Sequence, residues 1–215
     1  MRLKPTVFLT AAVFALCFSV AAAADLKPVS LSAPSKDRGF SVIKALSVRA
    51  SVRAYSDKSL SLQDLSDLLW AADGINRPDK GLRTASSAMN AQDIDVYVIL
   101  ADGAYLYNAK GNVLEPVSAG DYRAVIGKQD YVKTAPVNLI LVSDTSRFKN
   151  GDEGSKLTMA ALDAGIVSQN VSVFCASVGL CTVPRASIDV KKMQEVLKLK
   201  DSQKVLLNHP VGYPK

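Results

Sequence analysis

The sequence predicts an α+β fold, and three features of its patterning carry that prediction. Apolar residues recur at helical spacing in some segments and at strand-like density in others. Tight turn dipeptides join neighbouring strand-like runs into hairpins, so strands and helices are mixed rather than strictly alternating. Residues 155–179 are apolar on almost every side. That is the pattern of a helix buried all round, either central or in a subunit interface.

With 48% hydrophobic and 21% charged residues in 215, the composition is that of one globular domain, not a disordered, collagen-like or repeat-array chain. Residues 1–24 read as a secretory signal peptide. Arg2 and Lys4 give a basic start, residues 6–20 an apolar stretch too short to span a bilayer comfortably, and Ala22, Ala23 and Ala24 a small-residue cleavage site. The expectation is an exported, periplasmic protein with no membrane attachment after cleavage. Cleavage removes two cations and no acid, so the net charge falls from +6 to +4 over the 191 residues left of 215. The basic residues are scattered, which argues against a nucleic-acid surface. The remaining cysteines, Cys175 and Cys181, are six apart at the end of one predicted helix, a spacing that does not share a helix face. Two free thiols are expected, and with His209 as the single histidine no metal-site spacing is present.

In chain order, residues 25–38 read as a polar, extended leader. Residues 39–49 place Phe40, Ile43 and Leu46 on one face of an amphipathic helix, with Val42 and Val48 less regular. Residues 50–60 are a connection rich in Ser, Arg and Asp. Ser61 is an N-cap with Asp64 three residues on, and Leu62, Leu65, Leu68, Leu69 and Ala72 then trace one apolar face up to a stop at Gly74. Residues 76–84 form a polar loop. Residues 94–101 are a buried strand, joined across Asp102-Gly103 to residues 104–108. A second turn at Lys110-Gly111-Asn112 leads into residues 113–117. A helix is expected at 121–132 and a strong strand at 135–143. After the long helix come a short amphipathic helix at 190–199, a last strand at 204–207 and a Gly/Pro-rich tail. GxGxxG, P-loop, HExxH and GxSxG motifs are all absent.

Polar residues unexplained by periodicity fall in three places. Arg49, Ser51 and Arg53 alternate, so an extended backbone points all three the same way. Two guanidinium forks and a hydroxyl make a clamp for phosphate, although a solvated basic turn has the same spacing. Residues 83–92 form a loop of small residues, amides and hydroxyls that lets a flat ligand approach the backbone, or an ordinary turn before a strand. Gly179, Leu180, Cys181 and Thr182 end the long helix.

Taken in order, these segments resemble the FMN-dependent nitroreductase family. Its phosphate pattern R-R-S-x-R is matched by Arg49-Ala50-Ser51-Val52-Arg53, with Tyr55 following. Its flavin-loop pattern P-S-x-x-N-x-Q is matched by residues 86–92, with Ser86 in place of Pro. Its late helix is matched by Asp163, Gly165, Gln169, Asn170, Gly179, Leu180 and Thr182, and its closing motif by Gly212-Tyr213-Pro214. The stretch SLQDLSDLLWAADGINR looks closest to the branch that includes thiazoline-oxidising dehydrogenases. The resemblance covers residues 39–215. It implies an α+β homodimer with a central mixed or antiparallel sheet flanked by helices, the long helix at the dimer interface and FMN between subunits. By carry-over, Arg49, Ser51 and Arg53 would hold the phosphate and ribityl chain. Ser87, Asn90 and Gln92 would contact the ribityl chain or ring, with Gly179 and Leu180 nearby. It further implies hydride transfer through flavin N5 to a small molecule such as a nitroaromatic or quinone, with NADH or NADPH as donor. A dehydrogenase of the same fold, a non-catalytic flavin binder and a redox role for Cys181 are the competing readings.

Overall fold

The computed structural model describes residues 25–215; the signal-peptide reading of residues 1–24 lies outside the described residues. Five helices are described: α1 (Val42–Val48), α2 (Leu62–Asp73), α3 (Asp130–Thr134), α4 (Glu153–Val178) and α5 (Val190–Val196). The strands are β1 (Val29–Ser30), β2 (Ile75–Arg77), β3 (Leu82–Arg83), β4 (Ile94–Ile99), β5 (Gly103–Asn108), β6 (Val113–Ala119), β7 (Val137–Asp144), β8 (Cys181–Thr182) and β9 (Gln203–Gly212). Seven of them form one sheet in the order β1-β6-β5-β4-β7-β9-β8, and each neighbouring pair is antiparallel. The α+β expectation holds.

The sheet has helices on both faces, which explains why its central strands read as unbroken apolar runs. Val96, Val98, Leu139 and Leu141 pack on one face with α2 and α4. Their neighbours Tyr97, Ile99, Ile140 and Val142 pack on the other with Val132, Met193 and Leu197. The alternation follows from the two-residue period of a strand. The Ser61 cap of α2 forms as read: its hydroxyl oxygen accepts the Asp64 N–H at 3.0 Å and its O–H donates to the Asp64 carboxylate at 2.8 Å.

Several boundaries differ from the sequence reading. The 121–132 helix is instead a short 3-10 turn (Arg123–Val125) and α3, separated at Gly127. A Cβ at Gly127 would lie 2.6 Å from the Arg185 guanidinium, so the chain passes too close to that buried arginine for a continuous helix. The last strand is ten residues, not four, because β9 pairs with β7 through His209 and Pro210 up to Val211; tertiary pairing overrides the Pro/Gly punctuation. The 76–84 loop contains the small β2–β3 hairpin. The leader contributes β1, and Ser32, Ser35 and Arg38 bond to Ser66, Asp67 and Asp64 of α2.

Two helices present apolar side chains outward. In α1 only Ala45 is buried, while Ile43 is 77% exposed. In α4 the Ala160, Asp163, Val167, Val171 and Cys175 side is buried, but Leu162 is 63% exposed and Leu157 and Ile166 are also exposed. A single chain therefore does not bury α4 on every side, contrary to the all-round pattern. By length and composition α4 is also apolar enough to cross a membrane; in this fold its inner side packs on the sheet and α2.

Candidate functional site

The 49–53 segment leaves the end of α1 in extended conformation, and the Val52 N–H donates to the Thr182 carbonyl at 3.0 Å. Tyr55 braces it by donating its hydroxyl to the Val52 carbonyl at 2.7 Å. Arg49, Ser51 and Arg53 are exposed, as are Ala50 and Ala54, while Val52 is half-buried. Ala50 and Val52 line a cleft of about 200 Å³ together with Cys175, Gly179, Leu180 and Thr182. Five of the eight sequence-predicted residues thus lie on two neighbouring segments, Arg49, Ser51 and Arg53 on one and Gly179 and Leu180 on the other, although the side chains of the first three do not line the cleft. Gly179 ends α4 with φ +77, and Leu180 is buried behind it.

The two arginines here differ from most others in the chain. Arg38, Arg83, Arg123 and Arg147 each pair with an aspartate. The guanidinium groups of Arg49 and Arg53 have no such partner among the described residues. Unpaired exposed forks beside a serine hydroxyl are the donor set a phosphate monoester takes, so these residues fit the phosphate end of FMN.

The other three residues lie elsewhere. Ser87, Asn90 and Gln92 sit on the 86–92 loop, ahead of β4 and against the middle of α4. The loop is held in an uncommon conformation, with Met89, Asn90 and Gln92 at φ of 53, 53 and 47. Two of its braces come from outside it and one from within. Asp163 of α4 accepts the Ala88 N–H through both carboxylate oxygens, at 3.0 and 2.8 Å. Arg147 donates to the Gln92 carbonyl at 2.8 Å. The Ser87 hydroxyl oxygen accepts the Gln92 N–H at 2.8 Å. The Gln92 side chain is used within the chain, accepting from Arg83 at 3.2 Å and donating to the Gly81 carbonyl at 3.0 Å. Asn90 and Met89 are left exposed at the tip. The exposed Asn90 amide above a braced base suits the edge of a planar polar ring.

Beneath the loop lie three buried carboxyls, two of which sequence reasoning missed. Asp73 ends α2 and pairs with Arg83 at 3.1 Å; burial pushes its pKa up to about 7. Asp93 precedes β4, is fully buried and accepts the Ser143 hydroxyl at 2.5 Å. Burial and the facing Asp163 push its pKa up to about 7. No periodicity marks these acids. The available signal was an aspartate beside an apolar strand, where a charge needs a reason.

His209 and the thiols supply no reactive group. His209 is fully buried between the Ser168 hydroxyl at 2.8 Å and the Thr182 hydroxyl at 3.1 Å, and burial lowers its pKa to about 3. It is a neutral strut joining α4, β8 and β9. Cys175 and Cys181 are free and buried, and burial raises both thiols above their ordinary range, which disfavours the reactive thiolate.

The two groups of residues do not meet in one chain. Asp163, which anchors the 86–92 loop, and Gly179, beside the arginines, are separated along α4 by about 24 Å at 1.5 Å per residue. The large apolar side chains that α4 exposes, Leu157, Leu162 and Ile166, cluster around the Asp163 end.

Residues 46–213 match the model of the nitroreductase family. A Methanocaldococcus jannaschii protein named as a nitroreductase is 30% identical over 176 residues, 76% of this chain and 86% of its own. The FMN reductase [NAD(P)H] of Bacillus subtilis is 24% identical over 189 residues, 80% of this chain and 66% of its own. The crystal structure of a Ralstonia eutropha protein, also named as a nitroreductase, superposes with a TM-score of 0.82 at 34% identity, covering 87% of this chain and 90% of that one.

Proposed function

The chain belongs to the nitroreductase family, and on that premise we propose that it is an exported, FMN-dependent oxidoreductase whose cofactor site is completed by a second copy of itself. The observation that carries this reading is the separation of the two half-sites along α4, together with the apolar side chains that α1 and α4 leave exposed. Ile43 and Leu46 of α1, with Leu162 and Ile166 of α4, leave large apolar side chains in water; pairing them across a two-fold axis buries them. An antiparallel crossing of α4 with its copy carries the 86–92 loop of one protomer toward the 49–53 segment of the other. Each site then takes its cationic end from one chain and its amide-bearing loop from the other.

FMN in such a site supplies hydride acceptance and donation at N5. The protein's part is binding and orientation. Arg49, Ser51 and Arg53 hold the phosphate, while Asn90 and the Ser87 backbone direct the ring edge. Gln92, its side chain already engaged, fixes the loop rather than touching the ligand. The reductant is NADH or NADPH, as the name of the B. subtilis relative suggests, and the acceptor a small nitroaromatic or quinone. Anaerobic addition of NADH or NADPH to the flavin-loaded protein tests this. Bleaching of the flavin band is expected. A flavin that neither donor reduces would overturn the nicotinamide assignment.

A further inference from the structure

The 86–92 loop rests on two carboxyls that have no cation between them. Asp163 directs both oxygens at the Ala88 N–H, so it offers lone pairs and no proton there. Asp93 faces it from the start of β4 and is fully buried. One Asp93 oxygen accepts from Ser143, and the other has no hydrogen-bond partner. A buried, unpaired carboxylate oxygen beside another carboxylate is strongly disfavoured. A single proton on Asp93 removes the penalty, because the orphan oxygen becomes a donor and Asp163 its acceptor.

We propose that Asp93 is a positioning residue for the flavin: it carries a proton, donates it in a hydrogen bond to Asp163, and so fixes the carboxylate that clamps the 86–92 loop in its left-handed conformation. The chain of contacts runs from Ser143 of β7 through Asp93 and Asp163 to the Ala88 amide. It crosses three elements and ends directly under Ser87 and Asn90. Other charged groups around the pair are accounted for locally. Asp73 pairs with Arg83, while Arg147 pairs with Asp95 and is bonded to the Gln92 carbonyl. None of these cations bonds to Asp93 or Asp163. Loss of the shared proton leaves two adjacent buried negative charges, which repel and release the loop. Burial and the facing carboxylate raise the Asp93 pKa to about 7, so the loop is held below neutral pH and loosens as pH rises through it.

The flavin part of this inference rests on the proposed function; the proton pair does not. Two measurements on the purified protein keep them apart. The first is the carboxyl carbon resonance of Asp93 in flavin-free protein, followed from pH 4 to pH 9. A midpoint near neutrality is expected, and titration in the ordinary carboxylate range would overturn the pair. The second is the FMN dissociation constant at pH 7 and pH 8.5, with the Asp93→Asn variant beside the wild type. If only the protonated pair holds the loop, wild-type affinity falls roughly tenfold over this interval. The carboxamide of the Asp93→Asn variant can still donate to Asp163 and accept from Ser143, and it does not titrate, so the variant's affinity should stay flat. Equal pH dependence in the two proteins would overturn the positioning role. A protein that binds no FMN at either pH would overturn the proposed function and the positioning role, leaving the proton pair to the resonance measurement.

Discussion

The Val52 N–H donates to the Thr182 carbonyl at 3.0 Å, which ties the arginine-bearing segment to the strand that follows the long helix. This bond keeps the 49–53 backbone extended and its alternate side chains in water. Arg49 and Arg53 are thus displayed by a rigid scaffold without being used by it.

Removing either guanidinium should cost cofactor and not fold. Arg49→Ala and Arg53→Ala are each expected to weaken FMN binding about 10- to 100-fold, the loss of a charge-assisted hydrogen bond of about 1.5–3 kcal/mol. Isothermal titration with FMN and a thermal melt of the flavin-free variant check both halves. An unchanged dissociation constant in both variants would remove these residues from the site.

A composite site makes a distinctive genetic prediction. Arg53→Ala and Asn90→Ala each damage a different half of every site, so each homodimer should retain little flavin. Mixing and re-equilibrating the two unfolded chains should restore one intact site per mixed dimer. Flavin retention by the mixture no greater than by either variant alone would place both halves in one chain.

The outward apolar face should hold the dimer. Leu162→Asp puts a charge where a second copy is expected to dock, and it is expected to shift the protein to monomer in size-exclusion chromatography and to release flavin with it. A dimer unaffected by this change would move the interface elsewhere.

His209 should make stability depend on acid. Its folded pKa of about 3 lies below the ordinary value, so the unfolded chain binds a proton that the folded chain refuses. Its contribution is full above about pH 6.5 and is lost as pH falls toward 3, at up to about 1.4 kcal/mol per pH unit. Asp73 and Asp93, raised from the ordinary value of 3.8 to about 7, act oppositely, contributing stability that is full at low pH and is lost as pH rises from about 4 to 7. The comparison that isolates the histidine is the slope of unfolding free energy between pH 6.5 and pH 4.5 in wild type and His209→Gln. Because the two acids add stability over this interval in both proteins, the expected result is that acidification costs the wild type more, or gives it less, than the variant, and equal slopes would contradict a buried neutral imidazole.

Much of the fold was legible because its strongest signals are local. The Ser61 cap, the Asp102-Gly103 hairpin and the apolar runs of β4 and β7 each depend on a few adjacent residues. The errors arose where distant contacts decide. Gly127 breaks a helix because Arg185 passes behind it, and Pro210 lies within a strand because β7 supplies the pairing. The outward faces of α1 and α4 read as core because periodicity reports an apolar side without saying which molecule covers it. In the site, the arginines and the loop were visible as patterns. Their separation and the proton-sharing acids beneath the loop depend on three-dimensional packing that no spacing encodes.

The most direct measurement is the visible spectrum of the purified protein after incubation with FMN and desalting. A stoichiometric flavin band, shifted from that of free FMN and lost on Leu162→Asp, is the expected result. A colourless protein, with all flavin in the small-molecule fraction, would contradict the central claim.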